Sequence, residues 1–254
     1  MTARPGAFTL RRPGRTDEPE LMDAPLLDET TLRGNLADLA RANRWLGGTS
    51  LMVQCLDEVV GELPAGSRLS VLDVASGGAD IPRAVATWAC DRDLQPRIVA
   101  TDLNPQMLSL ARGASKVSQS LCFAAADARL LPFAAASFDV VMCSLALHHL
   151  RPGQAVQMLR EMRRVARRAV IVNDLLRCWH GFIGGWLFGH LLTRNPFTRN
   201  DAPLSFRRAY TLEEMKGLAC QAGVEPVRFR GFLGFRVSML HVISEPDSQL
   251  AQAA

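Results

Sequence analysis

Five aspartates, Asp73, Asp80, Asp102, Asp127 and Asp174, stand at or just beyond the ends of short apolar runs. Carboxylates gathered in this way can bind the cationic and hydroxyl groups of a ligand. The first two flank "VLDVASGGAD", residues 71–80, a stretch with the look of a nucleotide-cofactor loop. Gly77 and Gly78 let backbone come close to a ligand, whereas Ala75 and Ala79 stand where glycine is commoner and predict a slightly looser turn. Aligned to GxGxxG, the loop would set Ala75, Gly77 and Asp80 at the three glycine places. Asp80 would then repel a pyrophosphate, which counts against a dinucleotide.

S-adenosylmethionine carries no phosphate. Its ammonium, sulfonium, ribose diol and adenine amine all suit carboxylate or carbonyl acceptors. Asp102 is spaced to take both ribose hydroxyls, and Asp127, in "AADAR", to meet the adenine amine. Structural readings stand beside these. Asp80 before "IP" is also a good helix N-cap, Asp102 before "NPQM" can cap a helix, and Asp127 can be a turn residue.

The elements that must hold these residues alternate. From Arg68, "RLSVLDVA", "RIVATD", "LCFAAAD", "FDVVMCSLA" and "RAVIVND" alternate with helical segments starting near Ile81, Pro105 and Gln154. Uniformly apolar short strands predict parallel pairing under helices on both faces, and ligands then bind beyond the strand ends. The expectation is an α/β fold with a doubly wound, mostly parallel sheet. Residues 30–66 predict an N-terminal helical cap of two helices cut at Gly47 and Gly48. After Asp174 the alternation stops, and 175–210 reads as a helical insert or lid. Thr211 can cap a helix that Gly223 ends, and two last apolar segments can form a hairpin closing a domain over 67–246. Residues 1–29 and 247–254 read as disordered tails.

Composition removes several classes. Six cysteines lie far apart without a CxxC pair, so no metal site and no disulfide framework is expected, and the compartment is read as cytoplasmic. A net charge of +4 is mild, and "REMRRVARR" at helical spacing reads as a solvated face, so no nucleic-acid partner is expected. "CWHGFIGGWLFGHLL", Cys178 to Leu192, is shorter than the ~20 residues of a spanning helix and carries His180 and His190, so no stable membrane insertion is expected.

Motif order and spacing over roughly Leu36 to Ser244 resemble the class I S-adenosylmethionine-dependent methyltransferases. "VLDVASGGAD" is similar to that family's glycine-rich motif, "IVATDLNPQML" to its acidic motif, and "AAADARLLPFAAASFDVVMCSLALHHL" and "LREMRRVARRAVIVND" to its later ones. The resemblance implies seven strands with the last antiparallel, and S-adenosylhomocysteine as product. Leu103, Ala128 and Ser144 join Asp73, Ala75, Gly77, Asp80, Asp102 and Asp127 as cofactor contacts, with Arg44 approaching the cofactor carboxylate from the cap. "CSLALHHL" sets His148 and His149 near the transferred methyl, and by resemblance to small-molecule O-methyltransferases His148 pairs with Asp174 as base and orienting carboxylate.

No polar-Pro-Pro-aromatic stretch follows strand four, which disfavours nucleic-acid amino methylation. Trp179, Trp186, Arg207 and Tyr210 are the expected contacts to a small hydrophobic acceptor methylated at a phenolic or enolic oxygen, while His180 and His190 are expected to be packed. The same insert residues can instead make core packing or a homodimer contact. Carbon methylation of a quinol or polyketide ring, a non-catalytic cofactor-binding protein, a nicotinamide oxidoreductase and an RNA methyltransferase are the other readings.

Overall fold

A computed structural model describes residues 12–24, 26–113 and 120–243. Seven strands form one sheet in the order β3-β2-β1-β4-β5-β7-β6. They are β1 (Arg68–Val74), β2 (Gln95–Asp102), β3 (Leu121–Ala125), β4 (Phe138–Ser144), β5 (Ala166–Leu175), β6 (Val227–Phe232) and β7 (Arg236–Val242). Only β7 runs against its neighbours; the expected hairpin is β6–β7. Order reverses where β1 meets both β2 and β4, the place where open α/β sheets bind ligands.

The central strands β1, β4 and β5 are largely buried because both faces are covered, while the edge strand β6 alternates half-buried residues with exposed arginines. Along β1, Leu72 and Val74 pack into one core with α5 (Pro152–Val165) and α8 (Leu212–Ala222). Leu69 and Val71 alternate into the opposite core with α2 (Gly48–Val60) and α3 (Asp80–Cys90). The cap is α1 (Glu29–Trp45) and α2, broken at Gly47 with φ 84°. Thr211 caps α8 by accepting from the Glu214 amide, and Gly223 ends it at φ 71°. α4 (Pro105–Gly113) follows β2.

The insert holds α6 (Trp179–Leu191) and α7 (Pro196–Arg208). Gly181, Gly185 and Gly189, one helical turn apart, are buried on the same side of α6. A Cβ on Gly185 would stand 2.7 Å from the Ala202 carbonyl oxygen, so glycine is what lets the two helices approach so closely. Among the described residues, no helix is long and apolar enough to cross a membrane.

The N-terminal segment corrects the expectation of a tail over 1–29. From Arg12 onward it is a strap laid across α7 and the strand ends. Asp201 accepts from the Leu21 and Met22 amides, and the Thr16 amide donates to the Arg207 carbonyl. Met22 and Ala24 pack on a small core of Leu27, Leu32, Met107 and Leu110. Residues 1–11, and the tail expected at 247–254, lie outside the described residues.

Candidate functional site

β1 ends in a turn whose backbone is left-handed at Ala75 (φ 56°), Gly77 (φ 51°) and Ala79 (φ 55°). The looser turn expected from the alanines is corrected. Both hold the conformation a glycine would take, at roughly 1–2 kcal/mol each. Asp102 restrains the turn: one carboxylate oxygen accepts from the Gly77 amide at 2.8 Å and the other from the Asn104 amide at 2.9 Å. Burial raises its pKa.

Asp80 is the first residue of α3, not its cap; Ala79 holds the cap position, and Asp80 accepts from Asn43 Nδ2 at 2.9 Å. Asp73 is 2% exposed, and its Oδ1 has no hydrogen-bond partner among the described residues. Burial pushes this carboxyl up to about 8. Asp80 and Asp102, which line a cavity beside the loop, are acceptors for a cationic, hydroxyl-bearing ligand, whereas Asp73 is buried outside that lining, which corrects its expected cofactor contact. The pair fits S-adenosylmethionine.

This cavity measures about 1040 Å³ and opens in front of the loop. Leu103, Asp127, Ala128 and Ser144 line its cofactor end, and Leu187, Phe188 and Leu191 its apolar end. Asp127 is held bidentate by Arg129, with contacts of 2.6–3.1 Å that lower its pKa. Ser144 Oγ accepts from Arg236 Nη2 at 3.3 Å.

The imidazole expected as a base stands between two acids. His148 Nδ1 lies 2.6 Å from Asp174 Oδ1, and the His148 amide donates to Asp174 Oδ2. On the other side His148 Nε2 is 3.5 Å from Glu20 Oε1. Burial alone would lower its pKa, but the pairing with Asp174 and Glu20 wins and pushes it up to about 10. The pairing with both acids favours the imidazolium, which suits His148 as a donor and runs against its expected role as base. His149 Nδ1 meets Asp23 Oδ1 at 2.7 Å, and its Nε2 is 3.7 Å from Glu20 Oε2. Burial opposes ionisation of Glu20, Asp23 and Asp174, yet the histidines outweigh it and all three are depressed.

Several expected residues lie elsewhere. Arg44 is exposed and outside the cavity lining, whereas Asn43, one residue and 100° around α1, is buried and lines it. Trp179 and Arg207 border a separate groove beside Arg12. Trp186 is half exposed and stacks on His190. Tyr210 is buried, donates to the Leu150 carbonyl at 2.6 Å, and has Arg15 over its ring. Neither His180 nor His190 is packed; both are exposed, and His180 lines the cavity.

The sequence reading missed Glu20 and Asp23; Arg208, which "RNDAPLSFRRAY" offers for a polar or acidic group of the acceptor, meets these two acids instead. Arg208 donates to Asp23 and to the His149 carbonyl, each at 2.8 Å. The signal was "PELMD", two acids three residues apart, which become neighbours on a single 3-10 turn over Leu21–Asp23.

Asp102→Ala should free the loop and remove a ribose acceptor, weakening binding of S-adenosylhomocysteine by roughly 1–3 kcal/mol, about 5- to 150-fold. Calorimetric titration checks this, and unchanged affinity removes Asp102 from the site.

The family model described as "Methyltransferase domain" matches residues 71–169. The chain is 33% identical over 191 residues to the ubiquinone/menaquinone biosynthesis C-methyltransferase of Rickettsia bellii, covering 70% of this chain and 77% of that one. It is 40% identical over 105 residues to the demethylmenaquinone methyltransferase of Deinococcus radiodurans, but the match spans only 41% of each protein. Among solved structures, the CurJ carbon methyltransferase superposes with a TM-score of 0.64 at 13% identity, over 86% of this chain and 62% of that one.

Proposed function

Because the chain belongs to the class I S-adenosylmethionine-dependent methyltransferases, we propose that it methylates a ring carbon of a small lipophilic quinol. The observation that carries this reading is the polar cluster of Glu20, His148 and His149 in a cavity that has the cofactor loop on its wall and Leu187, Phe188 and Leu191 at its apolar end. A quinol has the same two-part character: a hydroxyl to be held and an apolar body to be buried. Carbon in place of the expected oxygen is supported by the name of the Rickettsia bellii relative, a C-methyltransferase of ubiquinone/menaquinone biosynthesis, and a quinone-type acceptor by the names of both relatives.

Asp102, Asp127, Asp80 and the loop amides would hold the cofactor. When bound, it supplies an electrophilic methyl group. The residues of the cluster then have separable tasks. The Glu20 carboxylate, kept ionised by the histidines, accepts the hydrogen of the quinol hydroxyl. The His148 imidazolium, fixed by Asp174, opposes the negative charge that grows on that oxygen. Electron density released onto the ring makes the neighbouring carbon the nucleophile. Once the C–CH3 bond has formed at the expense of the C–S bond, the proton on that ring carbon leaves through the polar cluster to solvent and Glu20 returns the hydroxyl proton to the oxygen, which restores the aromatic quinol. Leu187, Phe188 and Leu191 exclude water from the apolar end.

Incubation with S-adenosylmethionine and a panel of alkylated hydroquinones and phenols tests the reading. A new methyl on a ring carbon, located by NMR, is expected. A methyl on oxygen would transfer the assignment to O-methylation, and no transfer to any member would overturn the quinol.

A further inference from the structure

His148 and His149 are arranged alike. Each ties its Nδ1 to a carboxylate, Asp174 at 2.6 Å and Asp23 at 2.7 Å, and each thereby turns its Nε2 toward Glu20. The Nε2–oxygen separations there, 3.5 and 3.7 Å, are too long for good hydrogen bonds. Three ligand atoms, one from each residue, fall within 4.8 Å of one another. They converge on a common point without bonding to each other.

We propose that Glu20, His148 and His149 form a mononuclear site for a divalent transition-metal ion on the cavity wall. A tetrahedral ion with bonds of about 2.1 Å sets its ligand atoms about 3.4 Å apart; here the two Nε2 atoms stand 3.5 and 3.7 Å from the two Glu20 oxygens and one atom of each residue falls within 4.8 Å of the others, so binding draws the three side chains together. Metal-binding imidazoles are characteristically oriented by a carboxylate on the other ring nitrogen, the role Asp174 and Asp23 have here.

The surroundings also favour a cation. Glu20, Asp23, Asp174 and Asp201 face only Arg208 and Arg236 among the buried guanidiniums, so carboxylates outnumber them four to two. Two imidazoles and one carboxylate suit zinc, iron(II) or manganese(II) in preference to calcium or magnesium. All three residues line the cavity, so the ion keeps an open position toward the acceptor. Binding displaces the Nε2 proton of His148, and the ion then takes over the tasks of the free Glu20 carboxylate and the His148 imidazolium: as a Lewis acid on the acceptor oxygen it would hold it as the phenolate. That role rests on the quinol reading; the binding of the ion does not.

The experiment uses the whole protein, stripped with a chelator and titrated calorimetrically with Zn²⁺ and with Mn²⁺. Expected is one ion per chain, with affinity at least tenfold lower in His149→Asn and Glu20→Gln and about 10- to 100-fold lower in Asp23→Asn. Each variant is first shown to bind S-adenosylhomocysteine like the parent, which certifies its fold. No stoichiometric ion in a parent that binds S-adenosylhomocysteine overturns the site. So does an ion indifferent to the substitutions, as it would be if held by the exposed Cys90, Cys122 or Cys220.

The Co²⁺-loaded parent gives a readout without any variant. Visible bands of nitrogen and oxygen ligation support the site, and thiolate charge-transfer bands overturn it. An ion bound as expected in a protein that methylates none of the phenolic panel leaves the site standing and removes the quinol.

Discussion

Glu20→Gln is expected to lower kcat for methyl transfer by about 10²- to 10⁴-fold while leaving affinity for S-adenosylhomocysteine unchanged. The substitution is nearly isosteric, and the amide oxygen can still accept the 2.9 Å bond from Ser205 Oγ. What disappears is the anion. Asp23 still holds His149, but His148 loses its partner on the strap and the quinol hydroxyl loses its proton acceptor. The selective loss of kcat is what separates a role in transfer from a role in folding, because the cofactor end of the cavity has no contact with this side chain. A fall of less than tenfold, measured by single-turnover kinetics at saturating cofactor, would leave Glu20 as a strap anchor alone.

The largest effect on stability should come from Arg236→Met. Arg236 is 2% exposed, and burial lowers its pKa to about 10. It donates to Asn173 Oδ1 at 2.7 Å and Asn43 Oδ1 at 2.6 Å, and Asn173 in turn donates to the Gly48 carbonyl at 2.8 Å. One side chain on β7 thus joins α1, α2 and β5. Methionine fills much of the volume but strands two buried amide oxygens, at a cost of about 3–5 kcal/mol. Urea unfolding should show the midpoint shifted at constant slope. Cofactor affinity should fall with it, since Asn43 also holds Asp80. A change below about 1 kcal/mol would mean that desolvation of the buried cation offsets all its bonds.

Much of this molecule was readable before any coordinates. Strands covered on both faces are largely apolar, so Val71, Leu72 and Val74 with the run Val170 to Val172 announce a parallel sheet. The acids at their ends follow from topology, and Asp102 is at the loop as expected. What was hidden obeys a different rule. Glu20 is buried by polar partners on α7 and after β4, and no hydrophobic periodicity records such bonds. α6 is apolar on all sides, so its tryptophans gave no indication of which face looks inward. The glycines at 181, 185 and 189 did carry that phase: they mark the side against α7, which turns Trp179 and Trp186 away from the cavity. Arg44 failed for a related reason, since a shift of one residue in a helix exchanges the inner face for the outer.

The strap has a consequence for how the protein assembles. Glu20 meets Ser205 across 185 positions of sequence, and Asp23 meets His149 across 126. Contacts of such separation carry a high loop-closure entropy and form after the local strand–helix pairs. On the ribosome, the strap residues that complete the polar cluster emerge before α7, yet they must wait for it before they can dock. The cofactor fold therefore precedes the reaction centre in time, and a chain stalled between the two would bind its cofactor without being able to use it.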